Sequence, residues 1–404
     1  MRLVLAHIVL FLFLVLTARA QDEPVYPRLE TGGYIKQLQG LYFLDQPEVR
    51  LSVSGGTVAL DTIENPLLTD QFIHHRLNVR LHLQPGLRVH GALRTRLFYG
   101  EVVKLSPSFA SEIDDVDNDI MDMSFIWLRH SSVVGHTVAD RLYLEWVFGD
   151  WEVRAGRQRI NWGVSTVWNP NDVFNAYAYT DFDYEERPGS DALRVTRYFG
   201  FGHSLEVAIK ASTRPDRATA ALLYRFRQGN ADMQVLAGFM ENYWTIGGAR
   251  AVSIGQAGWK IESSAFIPRL PDGAASLAAS MEFDYTIEGG WYLQGGILVN
   301  TAVTADRRIV ELFDFDLSAR NLYPFPVTML VRANWPVSPI FTTGLALLYS
   351  PASSHPVFLA PVATLSVAQD WDLDFFGQVV FEENADSRWT SPLQALFIRV
   401  KWSY

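Results

Sequence analysis

The chain has 404 residues, 49% of them hydrophobic and 19% charged, with a formal net charge of −10. The acidic balance argues against a nucleic-acid partner. The lack of cysteine excludes disulfides, thiolate metal sites and cysteine nucleophiles, and the length suits one large barrel better than one ordinary compact domain.

Residues 1–20 open with Arg2, run through an apolar block broken by His7 and end in Ala18-Arg19-Ala20. A basic start, an apolar middle and a small-x-small end are the parts of a secretory signal, and cleavage is expected after Ala20. An N-terminal anchor helix is the competing reading, for which the apolar block is short. Loss of Arg2 and Arg19 leaves 32 of the 34 basic residues against 44 acidic ones, a net charge of about −12. Residues 21–32 read as a short flexible start and 33–404 as one domain.

From about Gly33 onward apolar and polar residues alternate with period two, the pattern of strands. Ile73, His75, Leu77, Val79, Leu81 and Leu83 face one way, and His74, Arg76, Asn78, Arg80, His82 and Gln84 the other. Beyond the turn at Pro85-Gly86, Leu87, Val89, Gly91, Leu93 and Leu97 continue the apolar side, and Arg88, His90, Arg94 and Arg96 the polar side. The alternation persists to the last strand, where Leu396, Ile398, Val400, Trp402 and Tyr404 oppose Arg399, Lys401 and Ser403.

A soluble sandwich would bury the apolar faces against each other, whereas a membrane barrel turns them to lipid and its polar faces to water. Strands of roughly ten residues suit a tilted membrane crossing, and ionisable residues recur in mid-strand. Short turns near Pro85, Asp150, Gly200, Gly229, Gly255, Gly289, Pro336 and Gln369 alternate with longer connections. These fall at about 46–71, 102–138, 162–190, 212–216, 267–275, 302–324, 350–355 and 383–391. The expectation is an all-β, transmembrane antiparallel β-barrel of about 18 strands, with about 16 as the alternative, short turns toward the periplasm and long loops outside. Residues 123–129 are strand-like but would upset the alternation, so they are assigned to a long outer loop. Trp146, Trp151, Trp259, Trp291, Trp335, Trp371 and Trp402 have outward parity beside periplasmic turns or the final strand, as an interfacial girdle would.

Asp140-Arg141-Leu142-Tyr143-Leu144-Glu145-Trp146 leads through a tight turn to Gly156-Arg157-Gln158-Arg159-Ile160-Asn161-Trp162-Gly163 and then to Trp168-Asn169-Pro170-Asn171-Asp172. Over about residues 138–200 this resembles porin-like outer-membrane proteins of Gram-negative bacteria, of the alginate-export and phosphate-selective type. The final segment from Phe397 to Tyr404 resembles the signal by which such barrels are recognised for assembly. The resemblance implies a cell outer-membrane pore for small solutes, with outer-membrane lipid and, through the C-terminal strand, the barrel-assembly machinery as partners.

Three groups could carry function. Arg76, Arg80, Arg88, Arg94, Arg96, Arg154, Arg157 and Arg159 would line the pore, since arginine arrays select anions by attraction and forked hydrogen bonding; pairing with Glu145, Glu206, Glu262, Glu282, Asp372 or Asp374 is the structural reading. The parity of Arg154, Arg157 and Arg159 is inconsistent, which predicts a bulge near Gly156. The connection from Gly163 to Asp191, rich in aromatics, is expected to fold into the lumen as a constriction loop carrying Trp168, Asn169, Asp172, Asp181, Asp183, Glu185 and Glu186. The acidic run 112–122 lacks the glycine and final glutamate of a calcium loop and reads as a solvated surface loop. His74, His82 and His90 share inward parity, as polar wall or a conceivable metal cluster. No metal, cofactor or catalysis is expected: no serine partner can be placed beside His75, the outward mid-strand histidine. The leading reading is a diffusion channel for small polar or anionic solutes, sugars among them; the alternative is a plugged barrel acting as a structural or docking subunit of an envelope secretion or assembly machine. For the register, Val331 should face lipid and Thr328 a wet lumen where a charge is mild.

Overall fold

The computed structural model describes residues 26–44, 49–54, 57–62, 67–114, 120–176, 189–271, 273–303 and 317–404. The expected signal, residues 1–20, lies outside them. Eighteen antiparallel strands form one closed ring. They are β1 Arg28–Leu44, β2 Leu67–Gln84, β3 Leu87–Gly100, β4 Val133–Phe148, β5 Trp151–Gln158, β6 Ser190–Tyr198, β7 Ser204–Lys210, β8 Thr219–Gln228 and β9 Ala231–Met240. Then follow β10 Tyr243–Ile254, β11 Ala257–Pro268, β12 Ser276–Thr286, β13 Tyr292–Asn300, β14 Val327–Ser338, β15 Phe341–Tyr349, β16 Val357–Ala368, β17 Trp371–Glu383 and β18 Leu393–Ser403. Each pairs with its chain neighbours, and β1 closes the ring by pairing with β18 as well as β2.

The pleat sorts the alternating sequence onto two faces. Val331, Ile261 and Val235 stand exposed on the outside, whereas the inward Glu262, Thr328 and Gln234 are buried. Apolar side chains left exposed in a continuous band are what a lipid solvent requires. All seven tryptophans of the expected girdle are exposed. Trp291 stacks on Trp335 at 5.1 Å, Trp371 on Trp402 at 6.0 Å, and Tyr404 lies 5.4 Å from Trp402.

Closure is tight at one point. The Gly33 and Tyr404 amides each donate to the other's carbonyl at 3.0 Å. A Cβ on Gly33 would lie 2.0 Å from the Arg76 carbonyl oxygen, so β1 passes there only as glycine.

Three details differ from the sequence reading. The start at 21–32 is not flexible throughout: β1 begins at Arg28, and Arg28↔His82 through Gly33↔Leu77 are regular ladder pairs. Glu30 ties this end down by meeting Arg80 and His82, each at 3.3 Å. A further outer connection, Glu241–Asn242, joins β9 to β10 in two residues, with Glu241 at φ 55. The short-long alternation passes over it because it is an outer turn of periplasmic length. Finally, Ser124–His130 is a strand, paired with β4 from Ser124↔Val138 to His130↔Val133. It lies within the outer connection between β3 and β4 and adds no ring strand. It borders β4 where the short β5, paired only with residues 142–148, does not reach.

Three connecting segments turn inward. The short helices α1 (Glu101–Leu105) and α2 (Phe109–Asp114) bring Val103 and Ala110 against Phe72, Phe98 and Val134. Residues 159–176 and 317–326 build two further buried clusters on inward faces of the ring. Thr328 illustrates the result. It faces inward but is fully buried, its hydroxyl 2.9 Å from that of Ser350, so it is not the wet position its parity suggests.

Candidate functional site

The site begins where the chain leaves the wall after β5. Gly156 has φ 118, and a Cβ there would meet the Leu142 carbonyl at 2.4 Å. The expected bulge is not between β4 and β5, whose register runs unbroken from Leu142↔Arg157 to Phe148↔Trp151. It lies one strand away, where Ala92↔Arg141 is followed by Leu93↔Ala139 and Asp140 is the extra residue. A bulge re-aims a side chain, and Asp140 turns to Arg76, with Oδ2 at 2.8 Å from Nη1.

Arg157 and Asp191 form the neck. The Arg157 Nε donates to Asp191 Oδ1 at 2.9 Å and Nη2 donates to Oδ2 at 3.0 Å, with both side chains buried. Asn175 closes the same neck: its Oδ1 accepts from Ile160 N–H at 3.1 Å and its Nδ2 donates to Ser190 Oγ at 2.9 Å. Arg157 is therefore a structural clamp at the wall.

Beyond the neck, two wall carboxylates hold the segment by its backbone. Glu262 on β11 accepts from the amides of Val164 at 2.7 Å, Ser165 at 2.9 Å and Asn171 at 2.7 Å. Glu282 on β12 accepts from Thr166 at 2.7 Å, Val167 at 2.8 Å and Trp168 at 3.3 Å. Neither makes an ion pair among the described residues, which corrects their expected pairing with lumenal arginines. Charge-assisted hydrogen bonds of this kind are roughly twice as strong as neutral ones. Further side chains complete the dock: Trp162 Nε1 donates to Glu206 at 2.6 Å, Gln234 donates to the Trp162 carbonyl at 2.6 Å, and Ser280 donates to the Trp168 carbonyl at 2.9 Å.

Trp168, Asn169 and Asp172 are all buried in this segment, and Asp172 accepts from the Trp162 amide at 3.3 Å. Asp181, Asp183, Glu185 and Glu186 fall outside the described residues. Trp168 leans on the second inward segment, with its ring 6.3 Å from that of Tyr323. Burial pushes the Tyr323 phenol pKa well up.

Most of the inward arginines are held in ion pairs with wall carboxylates. Arg76 is buried on Asp140, and Arg80 meets Glu30. An alternating chain runs across β3 to β8: Arg88 to Glu145 at 2.9 Å, Glu145 to Arg154 at 3.0 Å, Arg154 to Glu152 at 2.9 Å, Glu152 to Arg194 at 2.6 Å, Arg194 to Glu206 at 3.7 Å and Glu206 to Arg225 at 3.0 Å. Arg194 and Arg225 were not among the expected pore residues, although their inward parity marks them. Arg159 meets Asn161 at 3.3 Å. Arg94 has no carboxylate partner among the described residues, and the neighbouring inward arginine, Arg96, meets His136 at 3.2 Å and lies over the Phe98 ring. Cross-strand pairing extends this group into a basic row, Lys401, Lys36, His74, Arg96 and His136, on β18, β1, β2, β3 and β4. The two lysines were not among the expected pore residues, because only the register sets them side by side.

The histidines do not gather. His82 pairs with Glu30 and His90 with Glu145 at 3.6 Å, and no metal-binding group of three appears among the described residues. Of the acidic run 112–122, Asp114 accepts from Ser124 Oγ at 2.6 Å and lies 3.5 Å from His136, and residues 115–119 lie outside the described residues.

β11 stands nine places from β2 in the ring of eighteen. The docked segment thus lies against the wall diametrically opposite the strands that carry Arg76 and Arg94. A closed eighteen-stranded antiparallel barrel with a lipid-facing apolar band, an interfacial girdle and an inward-folded loop has the fold of porin-type barrels. Among solved structures the chain is similar to three from Pseudomonas aeruginosa: the outer membrane protein OprD (8% identity, TM-score 0.57, covering 93% of each chain), OccD3 or OpdP (8%, 0.55, 93% of this chain and 91% of that one) and OpdQ (7%, 0.54, 93% and 97%). At such identity the likeness is one of fold, and it lends no support to the alginate-export or phosphate-selective subtype. No family model matches the chain. No curated protein matches it either.

Proposed function

We propose that this chain is an outer-membrane channel through which small polar and anionic solutes diffuse, with sugars and their acids within its range. The observation that carries the reading is the asymmetry of the lumen. One side is occupied by a segment held to the wall through its backbone amides. The opposite side presents Arg94, which makes no ion pair among the described residues, beside the basic row that the register forms from Arg96, Lys36 and Lys401. A solute passing between them meets fixed positive charge on one flank, which favours anions by long-range attraction. Arg76, Arg80, Arg88 and Arg154 stiffen that wall through their ion pairs. The likeness to porin-type solved structures supports the reading through the fold.

Export by a cleaved signal and recognition of β18 by assembly machinery belong to the same proposal. No catalytic step is part of it.

Purified, refolded protein in a planar bilayer tests the reading. Stepwise conductance is expected, with a zero-current potential in a salt gradient that reports anion preference. A silent bilayer from correctly folded protein would overturn it and favour the plugged alternative.

A further inference from the structure

The outward face is not uniform. On β5 to β17 the exposed outward residues in mid-strand are apolar apart from small hydroxyls such as Ser263 and Thr343 and the arginine Arg250 opposite Ile261, while Arg197 lies near a periplasmic turn. On β1 and β2 the band is interrupted. Gln37, Gln39 and Gln71 point outward, in register with lipid-facing residues: Gln37↔Val400, Gln39↔Ile398 and Gln39↔Gln71. Val400 and Ile398 lie two and four residues up β18 from the girdle residue Trp402, so these amides sit within the apolar band and not at its lower edge.

Three primary amides in hydrocarbon are costly unless partnered, because lipid tails neither donate nor accept. Gln37 and Gln39 satisfy one group each by donating to neighbouring backbone carbonyls, at 3.3 Å and 3.2 Å. Gln71 makes no hydrogen bond among the described residues. The same face continues at its outer end into a recess of about 530 Å³, lined by Thr69, Gln71, Tyr99, Glu101 and Lys104.

We propose that the outward face of β1–β3, centred on Gln39 and Gln71, is an interface for a second copy of this chain. The chemistry selects that occupant. An amide both donates and accepts, so a patch of amides is its own complement across a two-fold axis, where one residue meets its counterpart. The exposed mid-strand part of the patch bears no charge, so it calls for no oppositely charged partner. Gln71 to Gln71, or Gln71 to Gln39, across the axis would satisfy groups that lipid leaves bare, and polar side chains are recognised glue between membrane-embedded surfaces. The recess beside Gln71 gives the partner's outer rim a hollow to enter. The inference concerns lateral packing and stands apart from conduction.

The absence of cysteine makes the test clean. Gln71→Cys and Gln39→Cys are introduced singly, and Leu347→Cys, outward on β15, is the control. Each protein is reconstituted alone in phosphatidylcholine vesicles and mildly oxidised, with the heat-dependent gel shift of folded barrels confirming assembly. The expected result is a covalent dimer from the two β1–β2 variants and monomer from Leu347→Cys. In parallel, Gln37→Leu/Gln39→Leu/Gln71→Leu, which a lipid-facing wall accepts without loss of fold, should shift the native mass in mild detergent from dimer to monomer. Monomer from every cysteine variant, equal dimer from all three, or an unchanged native mass for the leucine variant would each overturn the proposal.

Discussion

Arg157 grips Asp191 with two parallel hydrogen bonds where the chain leaves β5 for the lumen. Both groups are buried, so each is tolerable only because the other is present. Removing one partner, as in Arg157→Gln or Asp191→Asn, should cost about 3–5 kcal/mol, read as a lower midpoint in urea unfolding from vesicles. Replacing both by apolar residues of similar volume should cost less than either single change. If the double variant is worse than both singles, the pair has a role beyond neutralising itself.

The dock at Glu262 and Glu282 predicts a change in conductance. Glu262→Ala/Glu282→Ala orphans six backbone donors, and each hydrogen bond to a charged group is worth roughly 1.5–3 kcal/mol. The barrel ladder is untouched, so the protein should still fold while residues 164–171 detach. Single-channel conductance should rise, and protease should gain access to the segment. The milder Glu→Gln changes should give a smaller rise. Unchanged conductance in the alanine variant would show that this segment does not narrow the path.

The division of the arginines predicts different consequences for neighbours in sequence. Arg94→Gln removes a charge that makes no ion pair among the described residues and should move the zero-current potential toward cation preference. Arg76→Gln removes a charge already cancelled by Asp140, so its effect on selectivity should be small. It leaves Asp140 buried and alone, so its effect on stability should be the larger of the two. Equal shifts in potential from both would contradict this division.

The register predicts a contrast on the remaining wall. Val331 is 64% exposed on the outer face, and Val331→Arg should cost roughly 2–4 kcal/mol if it lies near the bilayer midplane. Thr342, inward and exposed near the periplasmic end of β15, should accept lysine with little loss. Thr328 is no longer a mild control, because a charge there would be driven into a packed cluster. Urea titration of the three variants in vesicles ranks them.

The wall was largely legible in the sequence because its rule is local. A residue such as Ile261 or Glu282 announces its face by parity with its neighbours, and the tryptophans of one girdle announce which end is which. Glu241–Asn242 escaped because an outer turn of two residues looks like a periplasmic one. Ser124–His130 reads as strand-like, but the alternation of turns argues for a loop, and its pairing with β4 outside the ring count is a non-local fact. The dock was harder still. Glu262 and Glu282 look like any lumenal acids, and nothing in residues 164–171 marks an amide that will donate to a carboxylate about a hundred residues away. Arg157 joins the pore arginines only if a bulge near Gly156 reconciles its parity, whereas the unbroken register keeps it and Arg154, three apart, on opposite faces of β5.

Because Glu262 and Glu282 take hold of main-chain amides, the dock is largely indifferent to which side chains the held residues carry. Thr166 and Asn161, both exposed in the lumen, can be exchanged without loosening the grip that keeps them there. The wall thus works as a socket that accepts different inserts. A lineage or an engineer can revise what the channel presents to its cargo while leaving the membrane-spanning frame as it is.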